Sequence, residues 1–415
     1  MKNPTTINPK RIALAAVSLL LVAWLLYQIP AVNSRLGWRL DFARTYLEAL
    51  VNPVGELPTP AQAVTPIVLP TATTHPTATL ATQAPTPVPT PSPTPLPGSA
   101  ALPAPPWEKQ DWNNCGPDTL SFYLRFYGWD GDQFDISNAI KPERGDRNVN
   151  VEELVYYVRN NAGWLNIQFR VGGDIDLLKK FIAAGIPVMI EESDDVEAEW
   201  ARPDDDYWAG HYLLLTGYDD ARSSFISQDS LHGTDTVVSY QETDEKWQPF
   251  NRVYILVYPP GQEQTVQAIL GPHWDPAYNR QAALDTAQAE TQRDPEDVFA
   301  WFNLGSNLVY FEKYEEAAAA YDNARALGWP QRMLRYQFGP FFAYFHTARY
   351  EDLLAISEYA LRITNNAEEA FLWKGWALYR MGDGPGAVEA FQQAYWANIY
   401  STDAQYALEF MGASP

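Results

Sequence analysis

Gln110-Asp-Trp-Asn-Asn-Cys-Gly-Pro117 holds the only cysteine of this 415-residue chain. Apolar residues follow at Leu120, Tyr123, Leu124 and Tyr127, the spacing of one helix face, and predict a helix over 118–127. Pro117 suits the first turn of a helix, so Cys115 is expected at its N-terminal end. There the helix dipole favours a thiolate over a thiol. Far downstream, Gly210-His-Tyr-Leu-Leu-Leu-Thr-Gly-Tyr-Asp219 sets an imidazole at the start of an apolar strand. Ser227-Gln-Asp229 sets a carboxylate after the next strand. Thiol, imidazole and carboxylate are the parts of a Cys-His-Asp nucleophilic site. Gln110 adds an amide able to donate to an oxyanion. A lone cysteine is most often a small buried hydrophobe. What outweighs that here is the four groups standing in this order.

Around these residues the pattern mixes helix and strand. Asn150-Val-Glu-Glu153 reads as a capping box opening a helix that runs through Asn160. Asp174–Ala184 reads as a further helix stopped by Gly185, followed by a strand over 187–190. After His211, strands are expected at 212–216, 224–227, 236–240 and 252–257, the first two joined by an Asp219-Asp220-Ala-Arg222 turn. His232 competes for the base role but follows a turn and lacks strand context. His75, His273 and His346 fall in a Pro-rich stretch, a linker and a helix. Residues 191–206 are dense in acids. They read as a solvated loop, with a lid favouring basic substrates or a calcium site as alternatives. No cofactor or metal is expected.

These motifs resemble the bacteriocin-processing, double-glycine-leader cysteine peptidases and their papain-like relatives. The resemblance rests on Gln110–Leu120, on Leu177–Ile190, and on Gly210–Tyr218 with Asp229, and spans about Trp107 to Pro259. It implies a papain-like fold in which Cys115 is nucleophile, His211 base, Asp229 the group orienting the imidazole and Gln110 the oxyanion residue. Asp118 stands where a small residue is usual, and Ser230 where Pro is common. No transporter or nucleotide-binding half accompanies the domain, so leader cleavage is not implied.

From about Asp275 onward the strands stop. Tyr314, Tyr350 and Gly384 are spaced 36 and 34 residues apart. Ala317, Ala320, Tyr321 and Ala324 recur 70 residues later as Ala387, Ala390, Phe391 and Ala394. Gly305 recurs as Gly375. Small residues at fixed positions with an aromatic between them, at this period, resemble tetratricopeptide repeats. Three copies are expected, with a leading half-copy near 280–291 and a trailing helix near 402–411. The middle copy, 335–364, departs at Leu353 and Ser357.

The N-terminus begins with Lys10-Arg11 and an apolar run from Ile12 to Tyr27 that continues through Ile29 to Val32. This reads as an uncleaved signal-anchor, with a cleaved signal peptide as the rival. Residues 34–52 form an amphipathic segment. About half of the chain's 33 prolines lie in 53–106, where Lys and Arg are absent. Proline removes backbone donors, so a disordered, extended stalk is expected. The formal net charge of −22 excludes a phosphate-neutralising stripe and hence nucleic acid as partner. One cysteine excludes an internal disulfide.

The expected architecture is therefore a tail and transmembrane anchor (1–33), a juxtamembrane segment (34–52) and a stalk (53–106). A papain-like α+β peptidase domain follows (107–271), with Cys on a helix and His and Asp on an antiparallel sheet. An all-α tetratricopeptide-repeat solenoid (275–415) completes it. The expected function is a membrane-anchored, extracytoplasmic peptidase acting on a peptide or protein, with a protein partner on the repeats. The alternatives are a catalytically inactive peptide-binding scaffold and a thiol acyltransferase.

Overall fold

The computed structural model describes residues 9–51, 53–61, 95–141, 149–196 and 201–415. By its internal contacts the chain divides into two compact units. One comprises residues 1–54 and 198–204, the other 55–197 and 205–415.

The first unit contains α1 (Pro9–Tyr27) and α2 (Pro30–Val51). The apolar run expected to continue to Val32 is divided here, because α1 ends at Tyr27 and Pro30 opens a new helix. Among the described residues no helix is long and apolar enough to cross a membrane. Val54 N–H donates to Asp204 Oδ2 at 2.8 Å.

The second unit is built on a seven-stranded sheet of β1 (Ser99–Ala101), β2 (Asn166–Arg170), β3 (Val188–Asp195), β4 (Trp208–Asp219), β5 (Ser224–Asp229), β6 (Gly233–Ser239) and β7 (Tyr254–Tyr258). The strand order is β2-β7-β3-β4-β5-β6, with β1 pairing to β4, and every pairing is antiparallel. Alternation sorts the side chains to two faces. Met189, Tyr212, Leu214, Ile255 and Val257 pack under α3 (Cys115–Phe126), α4 (Gln133–Ile140) and α5 (Val151–Asn161). Val188, Ile190, Leu213, Leu215 and Leu256 pack under α6 (Ile175–Ala183), α7 (Tyr240–Trp247) and α8 (Glu263–Leu270). The capping box of α5 forms as its sequence requires: Asn150 caps Glu153 N–H at 3.0 Å and Glu153 returns to Asn150 N–H at 2.9 Å.

Two differences from the sequence reading bear on the site. β3 does not stop at Ile190 but runs on to Asp195, because β4 pairs with it along its whole length and buries Glu191 and Glu192. The first five residues of the expected acidic loop, 191–195, are thus strand, and residues 197–200 lie outside the described residues. The ends of the expected stalk are also structured. Arg325 donates to the carbonyls of Pro58 and Thr59, Ala61 N–H donates to Asp352 Oδ1 at 2.9 Å, and 99–101 forms β1. Proline lacks a donor but keeps its carbonyl, and Arg325 uses it. Residues 62–94, with His75, lie outside the described residues.

The C-terminal region is helical: α9 (Pro276–Arg293), α10 (Val298–Tyr310), α11 (Tyr314–Leu327), α12 (Met333–Tyr336), α13 (Gly339–His346), α14 (Tyr350–Ile363), α15 (Glu368–Met381), α16 (Gly384–Ala397) and α17 (Thr402–Phe410). Gly305 lies against the Tyr321 ring and Gly375 against the Phe391 ring, so close that an added Cβ would clash at 2.7 and 2.4 Å. Leu353 and Ser357 are fully buried where the middle copy departs from the others. That copy differs at its start as well: Arg335 lies on the short α12, apart from the α13–α14 pair. The helices pack onto the sheet side through a buried amide pair, Asn251 Nδ2 to Asn307 Oδ1 at 2.8 Å, and through Trp208 stacked on Phe250 and Phe299.

Candidate active site

Cys115 is the first residue of α3. Asn113 turns the chain into the helix with φ of 52°, a left-handed conformation that asparagine tolerates. Asn114 does not cap the helix; its Nδ2 donates instead to Gln133 Oε1 at 2.8 Å. The start of the helix is therefore left without a side-chain cap, and the Gly116 N–H helps to lower the Cys115 thiol pKa. Gln133 also accepts from Asp111 N–H at 2.7 Å and donates to Glu108 and Lys109. The buried Lys141 ammonium donates to the carbonyls of Trp112 and Asn113 at 3.3 and 2.9 Å. These two side chains fix the segment leading into the thiol.

His211 stands near the start of β4. Gly210 before it lets the rings of Phe250 and Tyr336 approach, and a Cβ there would lie 2.9 Å from each. The imidazole is 5% exposed. Its Nε2 lies 3.0 Å from Asp229 Oδ1, and the imidazole stands close enough to Cys115 to act on its thiol. With Nε2 committed to Asp229, Nδ1 is the nitrogen left for the sulfur. Asp229 Oδ1 further accepts the N–H groups of Leu231 at 2.7 Å and His232 at 3.1 Å. Trp107 Nε1 donates to the Asp229 carbonyl at 2.8 Å. The structure thus brings together the thiol, imidazole and carboxylate singled out in the sequence.

Their electrostatics agree with the geometry. Burial pushes the Cys115 thiol up, but the hydrogen bond and charge of His211, the charge of Arg335 and the Gly116 N–H together hold it below its ordinary value. Burial opposes the charged form of His211, yet its bonds to Asp229 and Cys115 raise it well above the usual imidazole range. Asp229 is pushed up by burial and, more strongly in sum, pulled down by His211 and the two backbone N–H groups, to about 2.

Gln110 is tied to Ser230, the residue after Asp229. Its Oε1 accepts from Ser230 Oγ at 2.7 Å and its N–H donates to the Ser230 carbonyl at 3.0 Å. The serine that departs from the expected proline thus fixes which end of the Gln110 amide carries the donors. His232 points elsewhere: it is half exposed and faces Asp194 at 3.6 Å. His273 bonds to Asn279 and His346 stacks on Tyr314. Asp205 and Asp206, at the end of the acidic stretch, are held by Arg332.

Asp118 is fully buried and its Oδ2 has no hydrogen-bond partner. Burial and the neighbouring Glu108 push its carboxyl up to about 8. Glu192 is the cross-strand partner of His211. It is 4% exposed, with Oε2 unpartnered. Burial pushes it up to about 7 against the pull of His211 and Lys246. Sequence reasoning missed Gln133, Lys141, Glu192 and Arg335. The α4 cap Asp132 with Asp135 was a readable signal for the helix carrying Gln133, whereas nothing local marks the other three.

A thiol on the first turn of a helix, packed on an antiparallel sheet that brings up an imidazole and a carboxylate, is the arrangement of a papain-like fold. Residues 101–256 match the family model described as the Peptidase_C39 like family. Among solved structures, a C39-like peptidase from Bacillus anthracis is 18% identical, with 38% of this chain and 96% of that one covered and a TM-score of 0.31. The peptidase domain of Streptococcus ComA, a bifunctional ABC transporter involved in a quorum-sensing pathway, is 14% identical, with 39% and 98% covered and a TM-score of 0.28. A double-glycine-motif protease from an AMS/PCAT transporter, solved with its leader peptide, is 16% identical, with 39% and 94% covered and a TM-score of 0.29. No curated protein matches the chain.

Proposed function

We propose that this chain is a cysteine peptidase hydrolysing peptide or amide bonds through Cys115, His211, Asp229 and Gln110. The observation that carries the reading is His211 placed 3.0 Å from Asp229 and close enough to Cys115 to lower its thiol pKa. The Cys115 thiolate attacks the carbonyl carbon, and the oxyanion is met by the Cys115 N–H and the Gln110 side-chain amide. The His211 imidazolium gives its proton to the leaving amine. It then draws a proton from water, which attacks the thioester and releases the acid. Asp229 holds the ring so that the same nitrogen faces sulfur throughout.

The helices from Asp275 onward act, in this reading, as a tetratricopeptide-type array recruiting a protein partner or the substrate; the Gly305–Tyr321 and Gly375–Phe391 contacts 70 residues apart support it. Attachment to a membrane through residues 1–33, with the later domains outside the cytoplasm, completes the proposal. It is supported by the exposed apolar side chains Leu19, Leu21, Val22, Trp24, Leu25 and Leu26.

The test is cleavage of a mixed peptide library by the full chain and by Cys115→Ala. Cleavage lost in the variant supports the reading, and cleavage that persists overturns it. Membrane fractionation with and without residues 1–33 tests the attachment.

A further inference from the structure

The helix α12 lies outside the segment that matches the peptidase family, yet it docks on both limbs of the site. Arg335 Nη2 donates to Asn113 Oδ1 at 3.3 Å, two residues before the thiol. Tyr336 packs against Gly210, immediately before His211. α12 is clamped there from both sides. Arg332 is paired with Asp205 and bonded to the Trp208 carbonyl at 3.0 Å. The Tyr336 ring stands edge-on to Trp208 and Phe250, each with centroids 5.8 Å away. The Arg335 guanidinium stacks over Tyr336 at 5.3 Å. A planar guanidinium held on an aromatic ring and an amide oxygen has a set position and a permanent charge.

We propose that Arg335 is a positioning residue of the peptidase site, supplied by the helical region to hold the Cys115–His211 pair in its ionised form. The inference rests on the peptidase reading of Cys115. Among the described residues, the charged and titratable groups acting on the sulfur are these. His211 approaches from β4 and Glu191 from β3, Asp118 lies on α3 itself, the buried phenol of Tyr212 lies beneath, and Arg335 comes from α12. Glu191 and Asp118 are both held towards the neutral form by burial, so they do not repel a thiolate near neutrality. Lys141 spends its ammonium on the Trp112 and Asn113 carbonyls. Among the described residues whose charges act on Cys115, Arg335 is the cation besides His211, and its charge does not change with pH. A consequence is that the peptidase domain reaches its full reactivity only with the helical region docked.

The experiment is the pH dependence of Cys115 alkylation by iodoacetamide on the full chain, compared with Arg335→Gln, Arg335→Met and Arg335→Lys. The glutamine keeps a donor for Asn113 and removes the charge; the lysine keeps the charge. The expected result is an inflection about one pH unit higher in both neutral variants, with most of the shift recovered in the lysine variant. Circular dichroism identifies any variant that does not fold, and either neutral variant suffices. An inflection that stays low in a folded neutral variant overturns the role of Arg335 while leaving Cys115 activated. An ordinary inflection already in the unaltered chain overturns the peptidase reading itself.

Discussion

At the scale of single residues, the site is a balance between burial and charge. His211 and Asp229 are buried and Cys115 is partly buried, which alone would leave each neutral. Their mutual bonds reverse this for the thiol and the imidazole and leave Asp229 ionised. Asp118 shows the opposite outcome, since it is buried with Oδ2 unpartnered. Its carboxyl sits at about 8 in the fold, against about 3.9 in an unfolded chain. Between those values the folded state binds the extra proton. Stability therefore falls as pH rises from about 4 to about 8. Asp118→Asn removes this dependence. Melting temperatures from pH 5 to 8.5 are expected to decline less steeply in the variant, and an unchanged slope would show that Asp118 is ionised in the fold. Removing Gln110 tests a different balance. Gln110→Ala is expected to lower kcat by about 10²–10³ if its amide meets the oxyanion, and a loss below about threefold would deny it that role.

At the scale of elements, much of the frame was legible. The helix after Cys115, the Asn150 capping box and the Asp174 helix follow from local periodicity and caps, whereas the strand expected at 212–216 is the middle of β4, which opens earlier at Trp208. What was not legible depends on pairing. β3 carries Glu191-Glu192-Ser193-Asp194-Asp195, a run that reads as loop by composition. Its continuation as strand is dictated by β4 alongside it. β2 is too short for its alternation to stand out, and it is fixed by β7. The thiol segment, too, owes its shape to a distant element, through Gln133 on α4. Gln133→Ala leaves the Asp111 N–H and the Asn114 amide without their acceptor, at about 1–3 kcal/mol for each buried group left unpaired. Urea denaturation is expected to show that loss together with slower peptide cleavage. Unchanged stability would mean that the segment holds its shape without Gln133.

At the scale of the whole molecule, the sheet and the C-terminal helices are joined by contacts that no local pattern could reveal. Arg335 meets Asn113 across 222 residues of chain. The helical core is itself tied to residues 58–61 through Arg325, whose fully buried guanidinium pairs with Asp352 at 2.9 Å. Asp352→Ala strands that charge and is expected to cost about 3–5 kcal/mol, read as a lower denaturation midpoint; a loss under about 1 kcal/mol would mean that the Pro58 and Thr59 carbonyls suffice. The central claim remains that a single thiol, partly buried at a helix end, is held as an ion pair with His211. The most direct test is the rate of iodoacetamide alkylation of Cys115 against pH, in the full chain and in His211→Ala. An inflection well below about 8.5 that is lost in the variant is the expected result. Slow alkylation with an ordinary inflection, the same in both proteins, would contradict it.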